Sequence, residues 1–465
     1  MNKLVLINPA HVGLAGLSGN RQSQRHPPLS LACVAGLTPA DWEVVIEDEL
    51  WAPAQFHADA TLVGATAFTS TAPRAYDLLQ PYCAAGIPTV LGGIHTWARQ
   101  GESVRYADAI VVGEAETVWG QVLDDVLRRR TLPRIYHDPQ RPARFAVPRF
   151  DLLHTGYEFG VVQFSRGCPL RCSFCSVPDF SGRTLRRQPL EDVLRDLRAV
   201  PQRQLFVADD NLYGRSAADR RWAMELMQAI AAENLDKRFV CQASLNVASD
   251  DNFLAAAEKA GVRLILIGIE AADEATLKAV GKSVNLKAGR LDFSRIHAHG
   301  MGVLGAYVFG FDSDTPASLR ARARFMVECG ADCSQMTIAT PLPGTPFYRG
   351  LQLEGRLLYT DYPRDWPRYD FSQLVYVPAG FRSEGEFYDV MCECAEIAYN
   401  DQTIKDMARR TVEASGSWET AGWAYACNNG YAALTKLRAE WWGKNRQCGE
   451  EERKSERKGE RQITC

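Results

Sequence analysis

Short apolar runs alternate with helical patterns in two separate series along this 465-residue chain. The first series has five apolar runs, at residues 4–7, 43–46, 62–66, 89–91 and 109–112. Apolar strands that alternate with helices form parallel sheets, because the connecting helices cover both faces of the sheet. The first series therefore predicts an α/β domain with a Rossmann-like (flavodoxin-like) parallel sheet over residues 1–135.

The second series contains six apolar runs, again separated by helical patterns. They lie at residues 160–164, 204–208, 238–242, 263–267, 302–308 and 335–338. Six βα units in series predict a partial (βα)6 barrel over residues 156–350. In barrels of this kind the functional side chains lie at the carboxyl ends of the strands.

The remaining segments differ in composition from these two series. Residues 136–155 are rich in proline and arginine and predict an inter-domain linker. A nucleic-acid-binding arm is the alternative, but the net charge of −3 favours a solvated linker and no nucleic-acid partner. Residues 351–445 predict a smaller, mostly helical region. The mixed charges of residues 446–465 predict a disordered tail.

The lengths of the apolar runs and the cysteine content indicate the cellular compartment of the protein. No apolar run reaches the roughly 18 residues that a transmembrane helix needs, and the apolar run before Asn8 is too short for a signal peptide. We therefore expect a cytoplasmic protein. In a reducing compartment, clustered cysteines more often bind metal or take part in chemistry than form disulfides.

One cysteine cluster has the spacing of metal ligands. The segment FSRGCPLRCSFCSVPDFSGR follows the first barrel strand and carries Cys168, Cys172 and Cys175 in a C-x3-C-x2-C pattern. Three thiolates on one loop can hold three irons of a 4Fe-4S cluster and leave the fourth iron open. A structural zinc site needs four ligands, and a disulfide would leave one thiol over. The pattern therefore favours the cluster.

This loop resembles the cluster loop of the radical S-adenosylmethionine (SAM) superfamily. The resemblance implies that the three cysteines ligate the cluster and that Phe174 packs near the adenine of SAM. It further implies that the open iron binds SAM and that an electron from a donor such as flavodoxin or ferredoxin cleaves it. The products would be methionine and a 5′-deoxyadenosyl radical, which abstracts hydrogen from an unactivated carbon.

Polar residues end the next three strands of the predicted radical SAM barrel. The resemblance makes five of them candidate contacts of SAM: Asp209, Asp210, Gln242, Ser244 and Glu270. The acidic pair stands where the family usually has Gly-Gly-Glu. The other interpretation is a helix cap or a turn. That interpretation is equally weighted for Asp210 and Glu270, and it is favoured for Ser244 and Asn211.

The segments VLGGIHTWARQ, DAIVVGEAETVW and PLPGTP resemble one branch of the superfamily, which has an amino-terminal cobalamin-binding-like domain. The resemblance implies a cobalamin site at the strand ends of the first domain, formed by Gly92, Gly93, His95, Gly113 and Glu114. The glycines would allow close approach of the backbone to the corrin. For His95 the alternative interpretation is an ordinary loop histidine whose hydrogen bonds are satisfied within the protein. His11 lies in a stretch that lacks the classical axial-ligand motif, so we do not expect it to bind cobalt.

The branch implies a cobalamin-dependent C-methyltransferase. One SAM would methylate cob(I)alamin, a second would provide the radical, and the substrate radical would take the methyl group. One alternative is a radical SAM enzyme that cyclises, contracts, couples or oxidises its substrate without methylation. Another is a non-catalytic iron–sulfur or cobalamin carrier. The aromatic residues of the carboxyl-terminal region are compatible with a small-molecule or lipid-like substrate.

Overall fold

The computed structural model describes residues 1–11, 26–142, 144–282, 285 and 291–457, with residues 444–457 described by their backbone alone. A six-stranded parallel sheet forms the first part of the chain, with the strand order β2-β1-β3-β4-β5-β6. Its strands are β1 Asn2–Asn8, β2 Trp42–Asp48, β3 Leu62–Thr66, β4 Thr89–Gly92, β5 Ala109–Val112 and β6 Ile135–His137. The helices of this part are α1 Leu29–Leu37, α2 Ala72–Ala84, α3 Ile94–Ala98, α4 Gln100–Ser103 and α5 Trp119–Leu127.

The side chains of strand β1 pack into apolar cores on both faces of this sheet. Successive side chains of a strand point to opposite faces. Leu4 and Leu6 accordingly pack into one apolar core, and Val5 and Ile7 pack into the other. The sixth strand was not expected, because its residues lie at the boundary of the predicted linker. Its centre, Tyr136, is buried.

A second six-stranded parallel sheet confirms the predicted partial (βα)6 barrel. Its strand order is β14-β13-β12-β11-β10-β7. The strands of this part are β7 Phe159–Val162, β8 Ser165–Arg166, β9 Arg186–Arg187, β10 Gln204–Val207, β11 Arg238–Ala243, β12 Val262–Glu270, β13 Gly302–Phe309 and β14 Cys333–Ile338. Strands β8 and β9 form a separate antiparallel pair. The helices are α6 Val177–Phe180, α7 Leu190–Ala199, α8 Ala217–Glu233, α9 Asp251–Ala260, α10 Glu274–Ala279, α11 Ser294–Ala298, α12 Pro316–Glu328 and α13 Pro346–Leu353.

The carboxyl-terminal region protects the open edge of this second sheet. Its long helices are α14 Glu384–Tyr399, α15 Asp401–Ser415 and α16 Trp418–Arg457. The backbone N–H of Ser334 on β14 donates to Asn428 Oδ1 at 3.1 Å, and that of Met336 donates to Tyr399 Oη at 3.1 Å. An uncovered edge strand would invite pairing with another chain. The mostly helical region therefore completes the half-barrel.

Helix α16 extends further than the sequence predicts. Its backbone is helical to Arg457, so residues 446–457 of the predicted disordered tail form its last turns. Glutamate, lysine and arginine favour helices and form favourable pairs three or four residues apart. Residues 458–465 of the predicted tail lie outside the described residues.

The carboxyl-terminal edges of the two sheets contact each other. Trp97, which follows β4, packs edge-on against Phe180 of the cysteine-bearing loop, with ring centroids 5.7 Å apart. Gly344 of the PLPGTP segment lies against the same indole. A Cβ added at Gly344 would be 2.8 Å from Trp97 Cζ3. This glycine therefore makes room for an inter-domain contact.

We expect Gly344→Ala to lower the free energy of unfolding by about 2–4 kcal/mol, because overpacking adds to the cost of a left-handed backbone. The φ of Gly344 is +88°. Gly355→Ala is the matched control, since its φ is +67° and no heavy atom lies within 4 Å of the added Cβ. Urea denaturation of both variants tests this prediction. Equal losses would contradict a role for the Trp97 contact.

Candidate functional site

The cysteine-bearing loop is closed at its base by the short β8–β9 hairpin. The backbone N–H of Cys168 donates to Gly182 O at 3.0 Å. Gly167 precedes it with φ +100°, and a Cβ there would lie 2.5 Å from Thr184 O. Only glycine therefore fits this close approach. The loop begins immediately above the carboxyl end of β7, as the sequence predicts.

A second segment of the barrel holds the middle of the loop. The backbone N–H of Ser173 donates to Val280 O at 3.0 Å, and that of Phe347 donates to Ser173 O at 3.1 Å. Gly281 lies against the loop backbone, where a Cβ would be 2.7 Å from Arg171 O. These contacts fix the loop to α10 and α13, so its shape does not depend on its own short sequence alone.

The three cysteines occupy one small apolar cluster, which also contains Phe174. Burial raises the pKa of the Cys172 thiol to about 11 and that of Cys175 to about 12. Burial also raises the pKa of Cys168, while the side chain of Asn211 opposes this shift by hydrogen bonding. Metal binding deprotonates thiols, so a bound cluster would replace three protons here.

The three thiols fit the cluster proposed from the sequence. They come from one loop, they face one another closely enough to interact electrostatically, and thiolates are the usual ligands of iron–sulfur clusters. In the part of the chain that the structure describes, no three or more His, Cys, Asp or Glu side chains surround a position for a single metal ion.

The adjacent Asp209 and Asp210 have different environments. Asp209 is fully buried beneath the loop and accepts hydrogen bonds from Phe164 N at 2.7 Å and Ser165 Oγ at 2.5 Å. Asp210 accepts from Gly167 N at 3.3 Å and raises the thiol pKa of Cys168. Asp209 therefore supports the loop from below, whereas Asp210 lies beside the cysteines.

The burial of Asp209 predicts a pH-dependent stability. Burial raises its pKa to about 7 from its usual 3.8, so between these values the folded chain retains a proton that the unfolded chain has lost. Stability from this group is greatest below pH 4 and is lost as the pH rises to 7. The stability of the parent relative to Asp209→Asn should fall across this range by up to about 1.4 kcal/mol per pH unit.

Denaturation at several values between pH 4.5 and 7.5 measures this difference. Asp236→Asn is the control, because Asp236 lies on the surface with a pKa lowered mainly by its hydrogen bond to Arg203. Its difference from the parent should stay level over the same range. A level difference for Asp209→Asn as well would contradict the prediction.

Two further SAM candidates lie at the end of β11. Ser244 Oγ accepts a hydrogen bond from Asn211 Nδ2 at 2.8 Å, and Asn211 Oδ1 accepts from Gly214 N at 3.2 Å. This pair joins the ends of β10 and β11, and Asn211 also reaches the Cys168 thiol. Ser244 makes no side-chain hydrogen bond to the turn it precedes. Gln242 is half-buried on the same strand.

Glu270 forms a buried ion pair that sequence analysis missed. Its Oε1 accepts from Lys282 Nζ at 2.9 Å, and Lys282 lowers the thiol pKa values of Cys168 and Cys172. A Cβ at Gly268 would lie 2.4 Å from Glu270 Oε1 and 2.8 Å from Lys282 Nζ. Glu270 itself has φ +67°. The Gly281-Lys282 dipeptide after α10 is the feature of the sequence that could have indicated this pair.

At the carboxyl edge of the first sheet, the glycines predicted to bind cobalamin differ from one another in their backbone surroundings. Nothing lies within 4 Å of a Cβ added at Gly92, so the backbone there is open to close approach. Gly93 has φ +100°, and its added Cβ would lie 2.6 Å from Ala67 O, which makes it a turn glycine. Gly113 also has a positive φ, of +95°.

His95 is fully buried among protein partners. Its Nε2 lies 3.0 Å from Tyr76 Oη and 3.4 Å from Glu102 Oε1, and its Nδ1 lies 3.4 Å from Thr69 Oγ1. Glu102 Oε1 also accepts from Trp366 Nε1 at 2.9 Å. Both ring nitrogens therefore face protein groups, and the imidazole belongs to a network that ties the first domain to the carboxyl-terminal region.

Glu114 links the two strand-end edges directly. Its carboxylate accepts from Arg166 at 2.6 Å, from Arg141 at 3.0 Å and from Arg186 at 3.0 Å. Arg166 precedes the Gly167-Cys168 turn. The end of β5 is thereby joined to the cysteine-bearing loop. The structure thus brings the two predicted cofactor edges face to face, which neither edge revealed by itself.

Comparison with known proteins supports the resemblance drawn from the loop. Residues 162–303 match the family model of the radical SAM superfamily. Bacteriochlorophyllide d C-12(1)-methyltransferase of Chlorobaculum tepidum is 26% identical over 367 residues, which cover 76% of this chain and 78% of that protein. Hopanoid C-2 methylase of Rhodopseudomonas palustris is 27% identical over 365 residues, covering 72% of this chain and 66% of that protein.

A solved structure shares the fold. The radical SAM methyltransferase TsrM from Kitasatospora setae, with cobalamin and a 4Fe-4S cluster bound, gives a TM-score of 0.65 at 14% identity, over 94% of this chain and 99% of that chain. Within the described parts of this chain, no helix has both the length and the apolar character that crossing a membrane requires.

Proposed function

Residues 162–303 form a radical SAM domain, and from this premise we propose that Cys168, Cys172 and Cys175 hold a 4Fe-4S cluster at which this enzyme cleaves SAM. The observation that carries the proposal is the set of three thiols on one loop, anchored from two sides at the carboxyl end of a parallel half-barrel. When bound, the cluster supplies the electron that breaks the sulfonium bond of SAM.

The chain's own residues would position SAM and exclude water. Phe174 is half-buried beside Phe311, with ring centroids 5.5 Å apart, and provides an apolar surface next to the cysteines. Asp210 acts electrostatically on Cys168 and Glu270 acts on Cys172, and we propose that these two carboxylates receive the polar parts of SAM. Asp209 and Asn211 would act as positioning residues. The hydrogen bonds of Asp209 hold the base of the loop, and that of Asn211 joins the ends of β10 and β11.

We further propose that cobalamin binds at the carboxyl edge of the first sheet, facing the cysteine-bearing loop. The open space at Gly92 and the strand end at Gly113 support this location. Glu114 would hold the two edges together through Arg166. His95 is not retained as a contact, because its ring is enclosed by Tyr76, Thr69 and Glu102. Bound cobalamin would supply the methyl group.

The proposed reaction is methylation of an unactivated carbon in a small-molecule or lipid-like substrate. Support comes from the relatives, whose names describe methylation of a bacteriochlorophyllide and of a hopanoid. An electron donor such as flavodoxin or ferredoxin would reduce the cluster. A cytoplasmic location agrees with this need for a reducing environment.

Anaerobic reconstitution tests the proposal without a known substrate. The protein would be loaded with iron, sulfide and hydroxocobalamin, and then given methyl-labelled SAM and a reductant. We expect bound iron and corrin, formation of 5′-deoxyadenosine, and transfer of the label to the corrin. Cleavage of SAM without corrin binding would favour the non-methylating alternative. Bound zinc without 5′-deoxyadenosine would contradict the whole proposal.

A further inference from the structure

Arg438 on helix α16 is a buried cation with two hydrogen-bond donors left unsatisfied by the described residues. The residue is 4% exposed, and its Nε and Nη2 atoms have no hydrogen-bond acceptor among the residues that the structure describes. Tyr388, Tyr399 and Asp370 are near enough to act on its charge. Burial lowers the pKa of Arg438, which means that its surroundings compensate the charge incompletely.

The Nε and Nη2 atoms form the side of a guanidinium that can donate hydrogen bonds to two oxygens at once. Arg74, Arg198 and Arg149 are examples, among the described residues, of arginines that use this side in that way. The distances are 2.9 and 2.6 Å from Arg74 to Glu49, 2.8 and 2.6 Å from Arg198 to Glu233, and 2.8 and 2.7 Å from Arg149 to Asp151. A guanidinium fork matches the two oxygens of a carboxylate or a phosphate. The Nε and Nη2 atoms of Arg438 have no such acceptor among the described residues.

A second unsatisfied donor lies one helical turn further along α16. Trp442 stacks on Tyr388, with ring centroids 4.5 Å apart, and its buried Nε1 also lacks an acceptor in the described part of the chain. Residues four apart share a helix face. Trp442 also lines a cleft of about 920 Å³ between α14, α16 and the segment around Tyr359. The cleft reaches the indole of Trp442, whereas Arg438 is not one of its lining residues.

The carboxylate of Asp370 acts on the charge of Arg438 but accepts no hydrogen bond from its Nε or Nη2. Asp370 accepts from the backbone N–H groups of Ser372 at 2.9 Å and Gln373 at 3.1 Å, and from Gln373 Nε2 at 3.3 Å. A buried charge without a hydrogen-bonded partner is costly, and a ligand of opposite charge would remove that cost. We propose that Arg438 and Trp442 form a binding site for the oxyanion group, carboxylate or phosphate, of a small molecule.

Anion titration of the full-length, cluster-reconstituted protein tests this site. The probes are benzoate, phenyl phosphate and the neutral control benzamide, and the readout is the thermal unfolding midpoint. We expect a saturable rise with at least one anion and none with benzamide, and the stronger anion identifies the oxyanion class. Arg438→Met should weaken that response at least ten-fold. Trp442→Phe, which keeps the stacked ring, should weaken it several-fold.

Stability without added anion separates a binding role from a structural one. Arg438→Met removes an unpaired buried charge, so its unfolding midpoint should equal or exceed that of the parent. Arg74→Met is the matched control, since it leaves the buried carboxylate of Glu49 unpaired, and it should lower the midpoint. The proposal is overturned if neither anion binds, because water alone would then satisfy the two donors. It is also overturned if the response to the anion survives in Arg438→Met. A loss of stability in Arg438→Met as large as that in Arg74→Met would overturn it as well.

Discussion

Replacing Cys172 by alanine should reduce the yield of 5′-deoxyadenosine from SAM by at least about 10³-fold, because a cluster held by two thiolates loses the geometry that electron transfer to SAM requires. The reconstituted variant should also bind far less iron and lose the visible absorption of the cluster. Iron and sulfide assays, together with chromatography of the SAM products, measure all three effects. Cys168→Ala and Cys175→Ala should behave in the same way.

Cys241→Ala is the matched control for this substitution. Cys241 is buried on β11 of the same half-barrel, but it packs in the large apolar core and outside the cysteine-bearing loop. Its replacement leaves a small cavity and should cost on the order of 1 kcal/mol of stability, with iron content unchanged. A Cys172→Ala protein that kept its iron and its SAM cleavage would refute the proposed cluster.

Replacing Lys282 by methionine should lower the free energy of unfolding by about 3–5 kcal/mol, because it leaves the buried carboxylate of Glu270 without its cation. The pair lies across Gly268 on the barrel wall, and Lys282 also stabilises the charged forms of two cysteines. We therefore expect the variant to incorporate iron more slowly as well as to unfold more easily. Urea denaturation of the metal-free protein isolates the stability effect.

Lys278→Met is the control in the same stretch of chain. Lys278 forms an exposed pair with Glu274, four residues earlier on α10, and such pairs contribute only about 0.3–0.5 kcal/mol. The double variant Glu270→Gln with Lys282→Met should recover a large part of the loss, since no unpaired charge remains. If Lys282→Met were no more harmful than Lys278→Met, the buried pair would have no special role.

The candidate site shows which residues local patterns can identify. The spacing of the three cysteines predicted their loop, because neighbours in sequence remain neighbours in any fold. The sequence also identified the glycines at the strand ends, but it did not indicate why glycine is needed at each of them. Gly92 leaves open space, whereas Gly93 is required by a tight turn against Ala67. The difference depends on what another strand places beside each Cα atom.

Residues assigned by analogy changed their meaning once their partners were known. Glu114 was expected to line a cofactor pocket, and it forms ion pairs with Arg166 and Arg186, which are 52 and 72 residues away. His95 was expected near the corrin, and it lies in a network with Trp366 of the carboxyl-terminal region. Neither partner can be read from the sequence near these residues.

The sequence by itself determined the two series of strands, the cysteine-bearing loop at the first barrel strand and the chemistry that three adjacent thiols can support. These follow from side-chain periodicity and covalent spacing, which are local. Only the tertiary structure decided that the two strand-end edges face each other, that Lys282 reaches Glu270, and that helix α16 covers the open edge of β14. Each of these depends on how separately formed surfaces pack, and packing joins residues whose distance along the chain carries no information about their distance in space.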